Sequence, residues 1–135
     1  MQFWLMKSEP EVFSIDDLER QTESLWDGVR NYAARNHLKT MKKGDECFFY
    51  ESMNGEPSIV GIVKVVKEFY QDPTTKEDWS CVDVSIVRKL KNQITLSEIK
   101  SKKELKQFPL VRIGRLSVMP VSENEWSIIL AMEEK

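Results

Sequence analysis

Hydrophobic and polar positions change rhythm several times along this chain. Gln2 to Lys7 is a short apolar run closed by Ser8-Glu9-Pro10, which predicts a strand. Ser14 followed by Asp17 has the spacing of a helix-capping pair and predicts a short helix over residues 14–21. Asp27-Gly28 signals a turn, and Asn31 is a good cap for a helix through Tyr32 to Lys39. ECFFYES, PSIVGIVKVVKEFY and WSCVDVSIVRKL then read as three strands of an antiparallel meander, separated by NGEP and QDPTTKED. Thr95 with Glu98 repeats the capping spacing and predicts a helix over residues 95–106. RLSVMPV reads as a late strand returning to the sheet, and Ser122 with Glu125 caps a final helix through Glu134.

No repeat, low-complexity tract or long linker interrupts this order, so residues 1–135 are expected to form one α+β domain. About five or six mostly antiparallel strands suffice for a small curled barrel with helices over its ends.

Composition changes this picture little. The balance of 41% hydrophobic and 31% charged residues suits a globular protein, and no run approaches the ~18 apolar residues of a membrane span. The start MQFWLMKSEP lacks the pattern of a signal peptide, so a cytoplasmic location is expected. Cys47 and Cys81 fall inside strands and read as small buried hydrophobes.

Charge adds more. The net charge of −2 argues against grip on nucleic acid by bulk electrostatics, yet it conceals an asymmetry. Residues 88–115 hold nine basic side chains against Glu98 and Glu104, a local +7 that leaves −9 in the remainder. Such a patch suits either a phosphate backbone or a merely solvated face.

Catalytic constellations find little support. His37 is the one histidine, and nothing local pairs it with either cysteine as a nucleophile. One histidine and two distant cysteines make no convincing zinc set, so no metal is expected. GxGxxG is absent, MKKGDE is a polar turn, and no cofactor is implied. Asp16-Asp17 and Glu133-Glu134 read as surface charge.

What remains is a concentration of aromatic and hydrogen-bonding residues near element ends. Trp4, Lys7, Ser8, Trp26, Arg30, Asn31, Tyr50, Ser52, Arg115 and Ser117 are expected to meet at one end of the curled sheet. Aromatic faces stack on flat heterocycles while amide, hydroxyl and guanidinium groups read a polar edge. The structural alternative makes Trp26 core, Asn31 a helix cap and Tyr50 an ordinary strand residue.

FWLMKSEP, SIDDL, WDGVRNYAARN, MKKGDECFFYES, SIVGIVKVVKE, DPT, TLSEIK and GRLSVMPV, in this order, resemble the pattern of the EVE domain from about Phe3 to Trp126. The resemblance implies a PUA-like fold, a small bent β-barrel related to that of the YTH readers. It also implies a non-catalytic module that binds RNA or DNA and takes a modified base into a pocket. Carried over motif by motif, the pocket region comprises Lys7, Ser8 and Glu9; Trp26, Gly28, Val29, Arg30 and Asn31; Tyr50 and Ser52; and Arg115, Leu116 and Ser117. Two positions depart from the family: Glu51 stands where many relatives have histidine, and Ala33 where glutamine is usual.

The expected mechanism starts from a flipped or unpaired base. Trp26, with Trp4 or Tyr50, stacks on it; Ser8, Asn31 and Ser117 read its edge; Arg30 and Arg115, with the Lys100 to Lys106 face, hold phosphates. The chain is expected to act as a monomer. Competing expectations are a small-ligand-binding domain or enzyme with Lys7 as a base in the same cleft, and an adaptor that binds protein partners through its acidic surface.

Overall fold

The computed structural model describes residues 1–52 and 55–134. In chain order it contains β1 (Phe3–Ser8), α1 (Ile15–Gln21), β2 (Glu23–Trp26), α2 (Tyr32–Thr40), β3 (Glu46–Glu51), β4 (Ser58–Gln71) and β5 (Ser80–Thr95). α3 (Leu96–Lys100), a 3-10 turn (Lys103–Leu105), α4 (Pro109–Arg112), β6 (Val118–Val121) and α5 (Glu123–Ala131) follow.

One mixed sheet of six strands runs β2-β5-β4-β3-β1-β6. β1 and β3 pair in parallel, from Phe3 opposite Glu46 to Ser8 opposite Glu51, and the other pairings are antiparallel. β2 and β6 lie at opposite ends of that order, so the expected barrel is an open, curled sheet. The curl is visible in α2, which packs against β6 from one end of the sheet and against β5 and β4 from the other. Register shifts at Phe49/Tyr50 and at four places along β4 and β5 let these long strands bend.

The core lies between this curl and the helices. Leu5, Met6, Phe48, Phe49, Val63, Val82, Leu38 and Met41 are buried in it. Trp126 anchors α5 by stacking on Phe48 at 3.9 Å and on Phe3 at 4.3 Å between ring centroids. Gly61 lets α1 approach β4: a Cβ there would meet Ile15 Cδ1 at 2.7 Å. All three anticipated capping boxes form, at Ser14/Asp17, Thr95/Glu98 and Ser122/Glu125.

Some expectations are corrected. Trp26 closes a strand, β2, that the sequence pattern did not mark. The lysine-rich helix over 95–106 breaks after Lys100: Lys102 is extended, and a separate 3-10 turn over Lys103–Leu105 follows. Arg115 to Ser117 precede β6 rather than forming its start. Glu133, read as surface charge, is buried and grips Arg88 with both oxygens at 2.9 Å, accepting also from the Lys91 backbone N–H at 2.6 Å. That pairing removes Arg88 from the free basic surface. Lys89 is likewise engaged, at 2.6 Å from Asp16.

Candidate nucleic-acid interface

The C-terminal end of β1 and the C-terminal end of β2 leave a cleft of about 480 Å³ between them. Lys7, Ser8 and Glu9 line it from β1, and Val12 and Phe13 from the loop that follows. Gln21 closes α1 on the opposite side, and the wall from Ser24 to Gly28 completes it.

Trp26 is both core and wall. Only 7% of it is exposed, and its ring is held in edge-on contacts, 5.3 Å from Phe49 and 6.5 Å from Phe13. Its indole N–H finds no acceptor among the described residues, yet it is not sealed from solvent. A buried tryptophan normally satisfies that donor, so an open one beside a cleft is a place for a ligand acceptor.

Lys7 is the second open group. Its backbone N–H donates to the Ser117 carbonyl at 2.9 Å, which ties β1 to the loop before β6. Its ammonium donates to the Gly114 carbonyl at 3.0 Å and lies 5.7 Å from the centre of the Tyr50 ring. No carboxylate pairs with it among the described residues. Partial burial therefore lowers its pKa from 10.5, and an ammonium has three donors to place. Burial likewise raises the pKa of Tyr50, which lies beneath it.

The wall bearing Trp26 is pinned from behind. Gly28 takes a φ of +77°, which glycine adopts freely, and its N–H donates to Asp72 Oδ2 at 3.0 Å. The same oxygen accepts from Arg30 at 3.0 Å, while Asp72 Oδ1 accepts from the Thr74 N–H at 2.7 Å. Burial alone would raise the Asp72 pKa, but hydrogen bonds from Thr74, Gly28 and Arg30 outweigh it and hold the carboxyl at about 2.

The residues singled out from sequence thus divide. Lys7, Ser8, Trp26 and Gly28 meet in the cleft. Tyr50 lies under Lys7, Ser117 holds its backbone, and Ser52 donates its N–H to the Ser8 carbonyl at 3.1 Å. Leu116 and Val29 are buried, and Arg115 is exposed in the loop beside Lys7.

Three others are placed elsewhere. Trp4 sits near the opposite end of β1, 5% exposed, with its indole N–H on Asp45 Oδ2 at 3.0 Å. The guanidinium of Arg30 faces the β4–β5 loop, engaged by Asp72 and Thr74. Asn31 caps α2, its side chain accepting from the Ala34 N–H at 2.9 Å. Glu51 neither faces the cleft nor projects as a free charge: it accepts from the Ile15 N–H at the start of α1, at 2.9 Å.

Sequence reasoning did not single out Val12, Phe13, Gln21, Ser24, Leu25 and Asp27 as cleft residues. Apolar Val12-Phe13, one residue beyond the polar KSEP turn, was the available signal. Among the described residues no group of three or more His, Cys, Asp or Glu could hold a metal ion, and no helix is long and apolar enough to cross a membrane.

The model of the EVE domain family matches residues 2–132. Human thymocyte nuclear protein 1 is 43% identical over 98% of this chain and 74% of its own length. The crystal structure of that human protein in complex with 5-methylcytosine-containing DNA is 42% identical, covers 100% of this chain and 99% of its own, and superposes with a TM-score of 0.91. A protein from Pseudomonas syringae, 49% identical over 97% of this chain and 99% of its own, has a TM-score of 0.92. The MmI1 YTH domain, 12% identical over 99% of this chain and 96% of its own at a TM-score of 0.64, shares the fold. With motifs, fold and family match in agreement over nearly every residue, this chain belongs to the EVE domain family.

Proposed function

We propose that this protein is a non-catalytic nucleic-acid-binding module that takes a flipped or unpaired, modified base into the cleft beside Trp26. The observation that carries the reading is the pair of open donors, the Trp26 indole N–H and the unpaired Lys7 ammonium, at one cleft of about 480 Å³. The DNA complex of the human relative, which carries 5-methylcytosine, supports the same ligand class.

A pyrimidine such as cytosine offers acceptors on its ring and donors on its exocyclic amine. Trp26 and Lys7 supply donors for the first, and the carboxylates of Glu9 and Asp27 supply acceptors for the second. The exposed side chains of Val12 and Leu25 offer apolar surface to a methyl group. One buried methyl contributes about 0.8 kcal/mol, roughly a fourfold preference. Extruding the base costs a few kcal/mol, which apolar and edge contacts in the cleft must offset.

One chain supplies the whole cleft, so a monomer suffices. We place the protein in the cytoplasm, a reading supported by two free, buried thiols.

Fluorescence polarisation with oligonucleotides that differ only in 5-methylcytosine against cytosine tests this. Trp26→Phe keeps an aromatic ring but removes the N–H, and should weaken binding of the methylated strand at least fivefold. Unchanged affinity would refute a role for Trp26 at the base. Lys7 also favours a second reading, since a lowered ammonium pKa suits a general base. Under that reading a nucleoside is turned over and Lys7→Met abolishes product; under ours, binding saturates and no product forms.

A further inference from the structure

The walls of the cleft and the segment that abuts it at Lys7 carry opposite charge. Residues 9–28, which supply every lining residue except Lys7 and Ser8, hold seven acidic side chains and one arginine. Residues 100–115 hold Lys100, Lys102, Lys103, Lys106, Arg112 and Arg115 against Glu104 alone. This second segment reaches the cleft at Gly114, whose carbonyl accepts from the Lys7 ammonium. None of its six cations is in an ion pair among the described residues, whereas Arg20, Arg30, Arg35, Lys39, Arg88 and Lys89 all are.

We propose that the strand carrying the bound base leaves the cleft over the Arg112–Arg115 loop and lays its phosphates along the exposed lysines of the Lys100–Lys106 segment. The proposal rests on the base-binding reading and adds a direction to it. Phosphates leaving over either wall would pass Glu9 or Asp27, where like charge repels them within a Debye length of about 8 Å. Phosphates crossing at Gly114 meet Lys7 first and then Arg112 and Arg115, exposed cations with no ion pair among the described residues. The net charge of −2 coexists with this segment because the opposing charges are segregated rather than mixed.

Such a track leaves a thermodynamic signature. Each phosphate neutralised on a single strand contributes about 0.7 to the slope of log affinity against log salt. Arg112 and Arg115 are exposed and make no side-chain hydrogen bond among the described residues, so Arg112→Gln/Arg115→Gln should fold normally. With a single-stranded oligonucleotide titrated between about 50 and 200 mM salt, that double variant should lower the slope by about 1.4. The drop should be equal for methylated and unmethylated strands. A Lys42→Gln/Lys43→Gln control, at the opposite end of β1, should leave the slope unchanged.

Wild-type binding with the same slope in both double variants would overturn the track while leaving base binding standing. A drop in the control as large as in the Arg112/Arg115 variant would overturn it too, because it would show diffuse attraction. Absence of wild-type binding to either strand would sink the base-binding reading, and the track with it.

Discussion

The two ends of β1 each carry an aromatic and charged cluster, and they differ in whether the charge is satisfied. At the start of the strand, Asp45 is buried and accepts from the Gln2 N–H, the Trp4 indole and the Lys42 N–H at 3.0–3.1 Å. At its end, the Lys7 ammonium makes one hydrogen bond and the Trp26 indole makes none among the described residues. A closed cluster stabilises the fold; an open one holds polar groups in reserve for something else. Loss of a residue from the first should register in stability, and loss from the second in binding.

The sharpest break of this contrast is Asp45→Ala. It leaves the buried Trp4 indole and two part-buried backbone N–H groups without an acceptor and should cost about 3 kcal/mol in urea denaturation, with affinity per folded molecule unchanged. Lys7→Met comes next, with the opposite pattern: a loss of about 2 kcal/mol in oligonucleotide binding, near thirtyfold, and equal or greater folding stability. Either variant behaving like the other would erase the distinction.

Proton uptake sharpens the contrast further. Lys7 and His37, the latter 5.8 Å from Trp4, both have pKa values lowered by burial, from 10.5 and 6.5. In each case the unfolded chain binds the proton more tightly, so stability rises with pH across that group's own window. Stability should therefore fall as pH drops below about 6.5 through His37, and increase on approach to 10.5 through Lys7. Only at the open end should affinity move against stability, because deprotonated Lys7 no longer attracts an anion. Parallel denaturation and binding titrations on wild type and Lys7→Met would show this, with the alkaline loss of affinity absent from the variant.

The smallest effect is Gly28→Ala. No atom lies within 4 Å of the added carbon, so only the strained φ of +77° opposes it, at about 1 kcal/mol by thermal unfolding.

The chain announced its fold where signals were local. β3, β4 and β5 are rich in β-branched and aromatic residues, and the three capping boxes need partners only three residues away. β2 escaped notice because its four residues are a strand only through β5, from Val82 to Ser85, roughly sixty positions on. The parallel pairing of β1 with β3 has no local signature either.

The site was half legible for the same reason. KSEP and WDG mark Lys7, Ser8, Trp26 and Gly28, but nothing near Asp72 in DPTT shows that its carboxylate reaches back to Gly28 and Arg30. Trp4 and Arg30 carry the right chemistry and point it elsewhere, which a motif cannot reveal.

β1 lies between β3 and β6, with Phe3 opposite both Glu46 and Val121. One side of this early strand thus waits for a partner more than a hundred residues later. At about 5–20 residues per second, a ribosome takes on the order of ten seconds to supply it. Through that interval Phe3 to Met6 present an unpaired, largely apolar edge to the cell, and the nascent chain is most exposed to mispairing just before β6 emerges.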